Sequence, residues 1–163
     1  MISDQKHNSS ISFEEIKREL FAVADEKKRE FLPYFFKTGE GQYGAGDQFI
    51  GVVVPKQRAI VKKYHSLPLN EIELLLEDAF HECRMTGLFF LFDLAKLLLT
   101  HPHDLIQKAV GWMLREIGKR DFEAEIEFLS TERRYQQMPR TMLRYAIERF
   151  PENLRQQFLK NEI

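Results

Sequence analysis

The chain has 163 residues, 44% of them hydrophobic and 30% charged, with eight glycines and six prolines, which excludes a disordered or fibrous chain and suits one globular domain with its own core. Its 24 Lys and Arg stand against 25 Asp and Glu, a net charge of −1, so bulk electrostatics announce no polyanionic partner. The single cysteine, Cys83, has no partner for an intrachain disulfide, and the polar opening Met1 to Ser10 lacks the apolar stretch of a signal peptide, which together point to a reducing, cytoplasmic setting.

Ser12-Phe13-Glu14-Glu15 has capping-box spacing, and Ile16, Leu20, Val23 and Ala24 follow at helical intervals, so a first helix starts there. A second, short helix is expected to include Phe31 to Phe36, with Pro33 tolerable only in its first turn. Five of the eight glycines then fall between Gly39 and Gly51, which makes this stretch a loop. Its glycine spacing matches neither a Walker loop nor a dinucleotide fingerprint, so no nucleotide site is expected. Phe49 to Val54 is locally β-prone, but no alternating strand is present in the chain.

Pro55 suits the first position of a helix running to about Tyr64, with Ile60 and Val61 inward and Lys56, Arg58, Lys62 and Lys63 outward. Ser66 to Asn70 breaks it, and helices follow over Glu71 to Ala79 and Glu82 to Leu99. The apolar run Leu88 to Leu99 is interrupted by Asp93 and Lys96 and is short of the roughly 20 residues a membrane span needs. After a second break at Thr100 to Asp104, Asp104 is expected to cap the most regular helix, in which Ile106, Ala109, Val110, Met113, Leu114 and Ile117 form an unbroken apolar stripe. Further helices are expected over Phe122 to Arg133, over Pro139 to Phe150 with Pro139 at its first position, and over Glu152 to Lys160. Antiparallel helices on short connections imply an all-α fold of HEAT-like helical pairs, a short alpha-alpha superhelix filling residues 1–163 as one domain.

Charge is segregated along the chain. Between Arg133 and Arg149 five arginines meet one acid, Glu148, whereas Asp121 to Glu132 holds five acids and no Lys or Arg. Such segregation either alternates solvated helix faces or builds one cationic face on a neutral protein. On a helical wheel with Ile106 at zero, the six stripe positions fall between about 300° and 80°, whereas Lys108, Trp112, Arg115 and Lys119 fall between about 180° and 240°. The only tryptophan therefore points away from the stripe, among three cations. Either a neighbouring helix covers the indole, or it is an aromatic platform beside phosphate-binding side chains.

Three blocks carry a family resemblance. His103-Asp-Leu-Ile-Gln-Lys-Ala-Val-Gly-Trp-Met-Leu-Arg-Glu-Ile-Gly-Lys-Arg-Asp121 resembles the signature helix of the DNA alkylation repair family, the AlkD-like HEAT-repeat DNA glycosylases. Phe35 to Pro55 looks like that family's N-terminal loop, and Met138-Pro-Arg-Thr-Met-Leu-Arg-Tyr-Ala-Ile-Glu-Arg-Phe-Pro151 looks like its C-terminal helix. One family block has no counterpart: a Trp-Asp-x-Val-Asp motif that supplies the catalytic Asp, and with it something near one and a half to two repeats, is missing at a junction near Leu91 and Phe92.

The resemblance implies duplex DNA bearing purines alkylated at N3 or N7 as the substrate. Hydrolysis of their glycosidic bond builds oxocarbenium character that a carboxylate stabilises, with aromatic rings beside the charged base. By this resemblance Trp112 is the lesion-facing aromatic, and Lys108, Arg115, Lys119, Arg140 and Arg144 are the DNA-binding cations. No catalytic residue carries over. Asp47, Asp93 and Asp104 read more simply as loop, solvated and capping residues. His81, Cys83, His101 and His103 show no metal-ligand spacing, so neither a metal nor another cofactor is expected, and the acidic neighbours of Cys83 disfavour a thiolate nucleophile. The alternative to a glycosylase is a catalytically inactive helical-repeat module that binds DNA or a protein partner. A solenoid shortened at the junction would leave Leu88, Phe89, Phe90, Leu91 and Phe92 uncovered, so a homo-dimer through them is expected.

Overall fold

A computed structural model of the chain describes residues 11–36, 38–41 and 45–163. The polar opening Met1–Ser10 and the centre of the glycine-rich stretch lie outside those residues. Among the described residues every regular element is helical, and the β-prone Phe49 to Val54 forms no strand beyond an isolated parallel bridge of Gln48 to Phe80 next to it. The fold is all-α, built of packed helical pairs of the HEAT-like kind. The chain forms two compact units, Met1–Phe90 and Leu91–Ile163. No helix among the described residues is long and apolar enough to cross a membrane.

In the first unit, α1 (Phe13–Ala22) starts at Ser12, whose hydroxyl accepts from the Glu15 amide at 3.4 Å. The Glu15 carboxylate turns instead to the Tyr64 hydroxyl, at 3.3 Å. The second helix, α2, spans Glu26–Phe35 and so includes Phe31 to Phe35, with Phe36 as its C-cap, but Pro33 lies near its end, not in its first turn. Asp25 explains the early start, since its carboxylate caps the Lys28 amide at 3.2 Å. A proline this late removes only one backbone hydrogen bond, on a helix with no buried residue, where the freed carbonyl is open to solvent.

Helix α3 (Val54–Lys63) opens one residue before Pro55, with Ile60 and Val61 buried and Lys56, Arg58, Lys62 and Lys63 exposed as expected. Helix α4 (Leu69–Leu76) begins and ends ahead of the expected Glu71 to Ala79, because Pro68 already sits at the N-cap position. Both α3 and α4 pack on α1. Helix α5 (His81–Leu97) follows. At its start the buried Glu82 carboxylate accepts three backbone amides, from Ile50 at 3.0 Å, Gly51 at 2.8 Å and Val52 at 3.1 Å. These charge-assisted bonds tie down the end of the glycine-rich loop. Gly51 has a φ of +93°, and a Cβ there would lie 2.2 Å from the Asp25 carbonyl oxygen, so only glycine fits.

The second unit contains α6 (Asp104–Arg120), α7 (Phe122–Ser130), α8 (Arg134–Gln137), α9 (Arg140–Ala146) and α10 (Glu152–Lys160), with 3-10 turns at Thr131–Arg133 and Ile147–Arg149. Asp104 does not cap α6. His103 does, its Nδ1 accepting from the Leu105 amide at 3.2 Å, while Asp104 is the first helical residue and pairs with Lys108 at 2.6 Å. Of the expected stripe, Val110, Leu114 and Ile117 are buried, Ile106 and Met113 half-buried, and Ala109 exposed. The buried face is rotated toward Gly111, where a Cβ would stand 2.5 Å from the Met142 carbonyl oxygen, so α6 lies backbone-close against α9.

The helix expected over Phe122 to Arg133 ends at Ser130, and Glu132 and Arg133 take left-handed conformations with φ of 55° and 50°. The turn delivers Tyr135 into the core, edge-on to Phe158 at 5.2 Å, so burial overrides helical continuation. Pro139 takes the N-cap of α9 rather than its first position, whereas α10 has the expected bounds. Leu88, Phe89, Phe90 and Phe92 are buried and Leu91 half-buried. Phe89 lies under the Arg58 guanidinium at 5.1 Å and Phe92 stacks on Phe128 at 4.8 Å. The chain covers this run by itself, which removes the apolar exposure from which a dimer was expected.

Candidate functional site

Trp112 is 52% exposed on α6, so no described element buries it. Its neighbour Gly111 has no side chain to hold α9 away, and Tyr145 of α9 therefore reaches the indole edge-on, with ring centroids 5.8 Å apart and planes at 78°. Arg115, one turn along α6, places its guanidinium 5.8 Å from the indole centroid. Trp112 is thus a half-exposed indole flanked by an aromatic ring from α9 and a cation from its own helix.

The cations around it carry acid partners. Lys108 pairs with Asp104 at 2.6 Å, and that hydrogen bond raises the ammonium pKa above its usual value. Arg115 is held closely by Glu148 from the 3-10 turn after α9 and, at 2.8 Å, by Glu116, and both bonds raise its pKa. Lys119 shares Glu116 at 2.8 Å, and the two cations lower the pKa of that carboxyl. Arg140 turns to α10 and donates to the Leu159 carbonyl at 2.7 Å. Arg144 is exposed and enters no ion pair among the described residues.

Trp112, Lys108, Arg115 and Lys119 thus share α6. Tyr145, Asp104, Glu116 and Glu148 are site neighbours that the sequence reading did not assign. Asp104 with Lys108 and Glu116 with Lys119 have the spacing of helical ion pairs and were readable as such. Glu148 and Arg115 are 33 residues apart, and Tyr145 meets Trp112 only through helix packing, so neither contact leaves a local signal.

The remaining candidate acids are engaged. Asp47 binds Arg84 at 2.6 Å and lies 3.5 Å from His81, and Asp93 pairs with Lys96 at 2.7 Å. His81 sits by the rings of Phe36 and Phe49, at 4.5 and 5.1 Å, and its burial lowers its pKa. Burial, reinforced by Asp78, pushes the Cys83 thiol up to about 12, which rules it out as a nucleophile near neutral pH. His101 Nδ1 accepts from the His103 amide at 3.2 Å, so this histidine pair shapes the turn before α6. Among the described residues no three His, Cys, Asp or Glu gather to hold a metal.

One carboxyl stands apart. Glu125 of α7 is buried, its Oε1 has no hydrogen-bond partner, and desolvation pushes its pKa up to about 9. It lies over Gly118 of α6, where a Cβ would come within 1.6 Å of Glu125 Oε2. At neutral pH it is a neutral acid inside the α6 and α7 contact.

A family model described as DNA alkylation repair enzyme matches residues 16–91 and 89–150. No curated protein matches the chain, and neither does any solved structure.

Proposed function

The chain belongs to the DNA alkylation repair enzyme family, and from that membership we propose that it binds alkylated duplex DNA on the α6 and α9 face around Trp112, without excising the base. The observation that carries this reading is the half-exposed indole, an apolar surface with no covering element, set among cations of the kind that hold phosphates. Lys108, Arg115, Lys119 and Arg144 are the proposed backbone contacts. Arg140 enters the proposal only if it leaves Leu159.

The proposal assigns no glycosylase activity because the family's Trp-Asp-x-Val-Asp motif, the source of the carboxylate that would stabilise a developing oxocarbenium, has no counterpart in the chain. The experiment incubates the chain with a duplex containing 7-methylguanine and follows both binding and base release. Binding that weakens as salt rises, without release above the spontaneous rate, is the expected result. Enzymatic release of the methylated base restores the second reading, an N-glycosyl hydrolase.

We further propose that a block of family repeats is missing near Leu91 and Phe92. Supporting this, the two family-model stretches meet at residues 89–91, and the two compact units divide between Phe90 and Leu91. The encoding gene, read across those codons, tests it: intervening family repeats there would mean that the join is not native. The site of action is proposed to be the cytoplasm, which fractionation of cells producing the tagged chain tests.

A further inference from the structure

We propose that Tyr145 is a positioning residue, whose ring holds the half-exposed indole of Trp112 in one orientation ready to meet a base. This rests on the reading of Trp112 as the DNA-facing aromatic and adds a residue to it. The two rings come from different helices, 5.8 Å apart and nearly perpendicular at 78°, a T-shaped aromatic pair of the kind that favours one mutual orientation. Gly111 makes the contact available. A Cβ on it would lie 2.7 Å from the Tyr145 Cβ, so any side chain there would push Tyr145 away from Trp112.

On the same helix as Trp112, the Arg115 guanidinium lies 5.8 Å from the indole and is itself anchored by Glu148, three residues beyond Tyr145. The segment Tyr145 to Glu148 therefore fixes the indole twice, by a ring directly and by a held cation indirectly. A free indole on a half-exposed site samples several rotamers, and stacking on a base would have to order it first. Bracketed in this way, it is ordered before the ligand arrives.

Because Trp112 is the only tryptophan, its emission reports its own freedom. The experiment measures the fluorescence anisotropy and acrylamide quenching of the free protein, and the affinity for a short duplex carrying 7-methylguanine, in the unaltered chain, Y145F, Y145A and Y145L. Y145F keeps the ring and should match the unaltered chain in all three readings. Y145A and Y145L should lower the anisotropy, raise the quenching and weaken binding about three- to ten-fold, the range of a lost aromatic pair. The slope of affinity against salt should not change, because the phosphate contacts remain. Y145L keeps apolar bulk should Y145A fail to fold, as judged by circular dichroism.

Unchanged anisotropy and quenching in both Y145A and Y145L overturns the proposal. So does loss of indole order in Y145F equal to that in Y145A, since the hydroxyl rather than the ring would then be responsible. Failure of the unaltered chain to bind the duplex, or unaltered binding by W112A, overturns the DNA reading instead, and the free-protein optical measurements still decide whether Tyr145 holds the indole.

Discussion

Gly111 is the residue on which the α6 and α9 contact turns, because a methyl group there would meet a carbonyl oxygen of the backbone, at 2.5 Å, rather than a side chain able to rotate away. G111A should therefore cost about 1–3 kcal/mol in urea unfolding, the range for overpacking, and should also loosen Trp112 through Tyr145. Glu125 makes a pH-dependent prediction. Its folded carboxyl titrates near 9 against an ordinary value of 4.5, so the folded state keeps a proton that the unfolded state gives up. That stability is complete below the ordinary value and is lost as pH rises from there to about 9. Unfolding midpoints should fall across that window in the unaltered chain and flatten in E125Q; an equal fall in both would show that Glu125 is not the cause.

Glu82 connects α5 to the glycine-rich loop. Its removal in E82A leaves three buried amides without their acceptor, each costing about 1–3 kcal/mol when unsatisfied. Hydrogen exchange should accelerate at Ile50, Gly51 and Val52 before any other amides of the first unit. At the α7 to α8 turn, Arg133 with its φ of 50° pays a conformational penalty that glycine does not. R133G should raise the thermal midpoint modestly, because the strain relieved, about 1–2 kcal/mol, exceeds the unfolded-state entropy that glycine adds, about 0.4–1 kcal/mol.

These elements also mark what could be read from the chain. Helices α6 and α10 were legible because apolar periodicity and flanking breaks agree locally. The start of helix α2 is hard to read because Pro33 mimics a start signal although Asp25 supplies an earlier one. The left-handed turn at Glu132 and Arg133 was invisible because its reason, the burial of Tyr135 against Phe158, lies more than twenty residues away in α10. The site divides the same way: Trp112 and its flanking cations followed from one helical wheel. Tyr145 and Glu148 did not, because only packing brings α9 and the turn after it onto α6.

For the molecule as a whole, segregated charge proved a partial guide. The surplus of arginine between Arg133 and Arg149 allowed either solvated helix faces or one cationic face, and in the structure Glu148 pairs with Arg115 while Arg140 donates to the α10 carbonyl of Leu159. With Asp104 and Glu116 also interleaved, phosphate contacts must compete with resident carboxylates. Affinity for duplex DNA should accordingly show a shallow salt dependence, about two to four phosphates neutralised, with the balance carried by the indole.

Trp112 is both the centre of the proposed site and the only tryptophan of the chain, so its own emission during titration with a duplex carrying 7-methylguanine tests the account most directly. The account requires saturable quenching of that emission, reversed by salt, together with about a tenfold loss of affinity in W112A measured through a labelled duplex. Unquenched emission at DNA concentrations where the labelled duplex is fully bound would place the DNA elsewhere and contradict it.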